Sequence, residues 1–148
     1  DQERADLLQQ FDYPDSSPAL LGFAVLGGIY SEGVDLKGEK LLGTAIIGTG
    51  LPKVGTEQEI LRDYYQQKNN QGYDFAYRYP GMNKVLQAAG RVIRGQNDRG
   101  VVLLLDDRFS TPAYLRLFPE HWHHARIVYD NDGLSKILHD FWSESSID

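Results

Sequence analysis

Cysteine is missing from all 148 residues. With it go any disulfide framework, any thiolate metal site and any iron–sulfur ligand set within the chain. Long apolar runs are missing too. The longest, Val101 to Leu105, is strand-sized and far short of the ~20 residues that a membrane helix needs. No signal-peptide pattern opens the chain, and the lack of cysteine suits the cytoplasm, so a cytoplasmic protein with no membrane partner is expected. Positive charge is scarce: 15 Lys and Arg stand against 21 Asp and Glu, for a formal net charge of −6. Phosphate affinity rests on Lys and Arg, so an acidic chain is a poor stand-alone nucleic-acid binder. Any such contact must come from a local patch or be shared with another domain. The only methionine is Met82 and the chain starts at Asp1, so a piece of a longer polypeptide is expected. What is present is an ordinary globular mix, 41% hydrophobic and 24% charged, over a length that suits a single domain spanning 1–148.

Periodicity and turn chemistry divide the chain into alternating elements. Residues 4–11 read as a short amphipathic helix with Leu7, Leu8 and Phe11 on one side. Residues 22–28 (GFAVLGG) and 43–49 (GTAIIGT) read as strands, joined by a polar, glycine-rich loop. Thr56, with Glu59 three residues on, has capping-box spacing for a helix running to about Asn69. Residues 71–79 hold Tyr73, Phe75, Tyr77 and Tyr79, too many aromatics for a free linker. Pro80 opens a strong helix expected to end near Gly95. Residues 100–105 read as a third strand, 111–118 as a short helix, 126–129 as a fourth strand and 133–142 as a last helix. Continuous apolar strands separated by helices imply an α/β domain with a mostly parallel sheet flanked by helices. Ligands in such sheets sit at the carboxyl ends of the strands. Three polar segments fall there: Tyr30 to Leu36, Gly48 to Pro52 and Asp106 to Phe109.

The helix from Pro80 is the most informative segment. Met82, Val85, Leu86, Ala89 and Ile93 form one apolar stripe at ~100° per residue. Gln87, Arg91 and Arg94 cluster on the opposite face, with Gly90 among them. A mid-helix glycine costs about 1 kcal/mol relative to alanine, and close approach by a ligand or another backbone is a plausible return. A solvated polar face with a tolerated glycine is the plainer alternative. The whole string Gln87-Ala88-Ala89-Gly90-Arg91-Val92-Ile93-Arg94 resembles motif VI of superfamily 2 helicases, Q-x-x-G-R-x-x-R.

A second string, Gly28-Ile29-Tyr30-Ser31-Glu32-Gly33-Val34-Asp35-Leu36-Lys37-Gly38, resembles motif V of DinG-type and XPD-like helicases. Taken alone, a βα loop whose acids cap a helix is the better reading. Two further pieces agree with the family: Ala45 to Pro52, a strand ending in Leu-Pro, and Asp98 to Phe109, with the pattern D-x-G-x-x-x-x-x-D-x-R-F. Together these cover roughly residues 20 to 122 in the family's order. The chain therefore resembles the C-terminal, second RecA-like (P-loop NTPase-type) motor domain of DinG/XPD-like superfamily 2 DNA helicases. The family's motif IV strand is missing upstream, so a domain truncated on its N-terminal side is expected, with at least one strand absent from its sheet.

The resemblance implies a function. Arg91 and Arg94 are expected to act as arginine fingers on a bound ATP, with Gln87 and Gly90 beside its phosphates. Glu32 and Asp35 are expected to face the nucleotide, and the backbone at Gly28 and Ser31 to meet a phosphate of single-stranded DNA. The phosphate loop and the acids that hold Mg2+ are expected on a first RecA-like domain of the same polypeptide, so this part alone is expected not to hydrolyse ATP. The rival reading is a non-catalytic α/β module that binds a ligand or a protein. Other signals are weaker. Val101 to Asp107 imitates a magnesium-binding strand, but G-x-x-x-x-G-K-[ST] is absent, so Asp106 and Asp107 are expected to fix Arg108 or the motif VI helix. His121 and His123 have chelating spacing, but no second ligand cluster supports a metal.

Overall fold

Two five-residue strands make the sheet among the described residues. Strand β1, Gly43–Ile47, lies parallel to β2, Val101–Leu105, in a register that pairs Gly43 with Val101 and Ile47 with Leu105. Parallel neighbours need a long crossover, and residues 48–100 supply it. The computed structural model describes residues 9, 20–28, 40–93 and 98–144, which divide between two compact units, 1–109 and 110–148. The helix expected at 4–11 lies outside the described residues, as does the segment from Tyr30 to Leu36.

Helix α1, Thr56–Asn69, has the expected span but not the expected cap. Gly55 is the N-cap, Thr56 is already helical, and no side chain caps this end. Glu57 and Glu59 in the first turn offset the exposed N–H groups with negative charge instead. Glu59 reaches sideways rather than back. Its carboxylate accepts from the Tyr77 hydroxyl at 2.5 Å and pairs with Arg62. A phenol and a guanidinium are together stronger partners than one backbone amide. Asn70 closes α1 in the left-handed conformation, φ 58°, with its N–H on the Gln66 carbonyl.

The aromatics at 71–79 are not a linker. They form a π-helical turn, Asp74–Arg78, that runs directly into helix α2, Tyr79–Ala89. Phe75 stacks on Tyr65 of α1 at 4.0 Å, and Tyr79 meets Phe75 edge-on. Pro80 lacks an N–H and crowds the carbonyl four residues back; the wider π turn just upstream gives that carbonyl room. Ala76, Tyr77, Met82, Val85 and Ala89 are buried, and α2 packs on β1 over the buried Ile46.

Helix α2 ends earlier than the periodicity predicts. Its last residue is Ala89, with Gly90 as C-cap, where an end near Gly95 is expected from sequence. After Gly90 the chain tightens: Arg91 N–H bonds to the Ala88 carbonyl and Val92 N–H to the Ala89 carbonyl, both three residues back. A spacing of three in place of four brings Val92 under Ala89. Val92 is therefore buried, and Ile93, assigned to the apolar stripe, is 47% exposed.

Two expected strands are not strands. Residues 20–25 run as irregular chain into a turn at Leu26–Gly28, and Phe23 is 89% exposed. No described strand lies beside this segment to take up its backbone bonds, and an apolar run without a ladder stays irregular. Residues 126–129 are likewise irregular, with Tyr129 90% exposed.

In the second unit, α3 is the single turn Pro112–Leu115 and α4 is Asn131–Ser143. The Asp130 carboxylate caps α4 by accepting from the Gly133 N–H at 2.7 Å. Leu134, Ile137, Leu138 and Phe141 form its half-buried face. His121 lies edge-on to Trp122, and the His123 ring contacts the Glu120 carbonyl. Among the described residues no three His, Asp or Glu side chains gather as a metal site. None of the described helices is long and apolar enough to cross a membrane.

Candidate functional site

The carboxyl ends of β1 and β2 open onto one edge of the sheet. They are tied there by the Gly48 N–H, which donates to the Leu105 carbonyl at 3.2 Å. From β1 the chain continues through Thr49, 1% exposed, and Gly50, φ 65°, to Leu51 and Pro52. This turn packs backbone on backbone against the first turn of α2. A Cβ on Gly81 would stand 2.6 Å from the Thr49 carbonyl oxygen. The start of α2 is thereby seated on the end of β1.

The residues of the motif VI string lie at the other end of α2. Gln87 is exposed on the last turn, Gly90 is the exposed C-cap, and Arg91 follows in the tightened turn. A Cβ on Gly90 would meet the Leu86 carbonyl at 3.2 Å and no other described element. The glycine thus ends the helix and leaves its polar side uncovered among the described residues. Arg91 is half-buried, with its Nε enclosed by protein. It is engaged within the domain rather than loose in solvent. Arg94 lies outside the described residues, as do Ser31, Glu32 and Asp35.

Of the motif V string, Gly28 is described. It is half-buried, and its N–H donates to the Val25 carbonyl at 2.9 Å in a tight turn. That amide, expected to meet a DNA phosphate, is already occupied by its own turn. The adjacent Gly27, φ 81°, faces α2: a Cβ there would lie 3.3 Å from Lys84 Cδ and 3.5 Å from its Nζ. The start of motif V is therefore laid along the helix that carries motif VI. Lys84 was not singled out from sequence. The signal was present, because it precedes Gln87 by three positions and Arg91 by seven, on the same polar stripe.

At the end of β2, Asp106 fixes Arg108, one of the two outcomes expected for this pair of acids. The guanidinium donates to both carboxylate oxygens, Nε to Oδ1 at 2.8 Å and Nη2 to Oδ2 at 2.7 Å, and the Arg108 N–H adds a third bond at 3.0 Å. These bonds hold the Asp106 carboxyl below the usual carboxylate range, the Arg108 side chain contributing most. On α1, the bond to Glu59 pushes the Tyr77 hydroxyl up.

A parallel sheet with helices packed on it, a Leu-Pro turn seated on the motif VI helix and a glycine turn beside it fit a domain of the RecA-like class. The chain belongs to the Helicase C-terminal domain family, whose model matches residues 1–125, and within it to the DinG/XPD-like superfamily 2 helicases. It is similar to the General transcription and DNA repair factor IIH helicase subunit XPD of Dictyostelium discoideum, 33% identical over 103 residues, 65% of this chain and 12% of that protein. It is also similar to the Regulator of telomere elongation helicase 1 homolog of Culex quinquefasciatus, 38% identical over 105 residues, 67% of this chain and 11% of that protein. A homolog of the same name from Aedes aegypti is 34% identical over 111 residues, 71% of this chain and 11% of that protein. The chain thus spans about a tenth of the length of these curated relatives, 11–12%.

Proposed function

We propose that this domain is the second half of an ATP-driven DNA motor, completing an ATP site whose phosphate cradle and magnesium acids belong to a first RecA-like domain of the same polypeptide. One observation carries the reading: Gln87, Gly90 and Arg91 stand together at the end of a helix whose other end is seated on β1. A rigid helix can present a guanidinium to charge that develops on a transferring phosphoryl group, and its planar fork suits phosphate oxygens. Arg91 and Arg94 take that role, with Gln87 beside a phosphate or the attacking water, and Glu32 and Asp35 facing the nucleotide. Gly28 and Ser31 belong to the loop that couples ATP to single-stranded DNA. Membership in a helicase family and the names of the relatives support DNA as the polymer moved and DNA repair as a setting.

The test is ATP hydrolysis by the full-length polypeptide, with and without single-stranded DNA, as wild type and as Arg94→Ala. Stimulation by DNA in the wild type, and a loss of about 10³-fold or more in the variant, is the expected result. Equal turnover by the two proteins removes the arginine-finger role and favours a binding module.

A further inference from the structure

Resting on that reading, we infer that Lys84 and the Gly27–Gly28 turn form a phosphate contact for single-stranded nucleic acid. The problem it answers is electrostatic. The chain carries a net charge of −6, and the Gly28 amide, the expected phosphate donor, is spent on the Val25 carbonyl. A backbone phosphate at this turn needs a cation from elsewhere in the fold.

Lys84 supplies it. Its stem lies against Gly27, with Cδ, Cε and Nζ 3.3, 3.4 and 3.5 Å from where a Cβ would stand. A Cβ at position 27 would crowd the lysine stem by a few tenths of an ångström, and the φ of 81° disfavours a side chain there in any case. The lysine is half-buried, yet it makes no ion pair or hydrogen bond among the described residues. An ammonium without a carboxylate partner is an open position for an anion. The neighbouring backbone is glycine and exposed at Gly27, so a sugar–phosphate strand can approach it closely. Lys84 also shares its stripe with Gln87, one helical turn on, at a rise of about 1.5 Å per residue. One rigid helix therefore carries a DNA-facing cation and the nucleotide-facing groups, which gives the coupling between polymer and ATP a short path.

A phosphate at Lys84 has two possible sources, the DNA backbone or the nucleotide, and the inference commits to the backbone. The experiment is fluorescence anisotropy of a labelled oligothymidylate titrated with the full-length polypeptide over a series of KCl concentrations. Wild type, Lys84→Gln and Lys84→Arg are compared, with melting temperatures measured alongside. Losing one phosphate contact should weaken binding by Lys84→Gln and flatten the slope of log K against log salt by about 0.7, the single-strand value per contact. Lys84→Arg should keep the wild-type slope. Wild-type affinity and slope in Lys84→Gln overturn the inference while leaving the proposed function standing. So does a lower melting temperature with weaker binding but an unchanged slope, which assigns the lysine to packing against Gly27. A raised KM for ATP without DNA, at wild-type DNA affinity, assigns it to the nucleotide and likewise overturns the inference. Failure of the wild type to bind the oligonucleotide sinks the proposed function itself, and the inference with it.

Discussion

Gly50 and Gly81 meet backbone to backbone: a Cβ on Gly50 would lie 2.8 Å from the Gly81 carbonyl oxygen and 2.9 Å from the Leu26 Cδ2 atom. Gly50 also holds φ 65°, the left-handed region that costs other residues energy. Gly50→Val combines a β-branched side chain at positive φ with a collision against a main-chain oxygen. The expected loss is about 2 kcal/mol or more. Urea unfolding of the 148-residue chain measures it, and a change within experimental error would show that the turn slides off α2 freely.

Among the described residues, Met82 is the largest fully buried side chain, and it sits on the face that α2 turns inward. Met82→Ala leaves a hole that neighbours fill only in part, at an expected cost of about 2–5 kcal/mol. The exposed Ile93, assigned to the same stripe by periodicity, is the control: Ile93→Ala should cost less than about 1 kcal/mol. Comparable losses for the two would restore the longer helix that the sequence pattern suggests.

Local chemistry made part of this fold legible. The apolar run Val101–Leu105 and the span Thr56–Asn69 were readable because each is fixed by its own composition and flanks. The end of α2 was not, because Gly90 reads equally as a helical residue and as a cap, and a switch from four-residue to three-residue bonding exchanges Ile93 for Val92. Residues 22–28 carry the pattern of a buried strand, but a strand also needs a neighbour, and no local pattern supplies one. Within the site, Gln87, Gly90 and Arg91 were readable as a string. The seat of Lys84 against Gly27 joins segments far apart in the chain, so only the folded path reveals it.

If Arg91 serves as a finger, its geometry matters as much as its charge. It is half-buried and placed by the Arg91–Ala88 and Val92–Ala89 bonds of the tightened turn. Arg91→Lys keeps the positive charge but replaces a planar fork with a point charge on a flexible stem. DNA-stimulated ATP turnover by the full-length polypeptide should therefore fall in Arg91→Lys by well over tenfold, approaching Arg91→Ala. Near wild-type turnover in Arg91→Lys would mean that charge alone suffices at this position.

The Asp106–Arg108 pair gives the domain a pH signature with a definite sign. Folding lowers the Asp106 pKa below its ordinary value of about 3.9, chiefly through the Arg108 side-chain bonds. The unfolded chain then binds this proton more readily than the folded one. The stabilisation is fully present above the ordinary value and is lost as pH falls through the depressed folded value. Arg108 is 45% exposed and Asp106 18%, so solvent screening keeps the contribution modest. Asp106→Asn removes the titrating group. The stability difference between wild type and variant, read from urea midpoints, should be flat from neutral pH down to about pH 5 and should shrink below about pH 4. A difference that persists unchanged to the lowest accessible pH would assign the loss in the variant to the neutral Arg108 N–H bond and not to the ion pair.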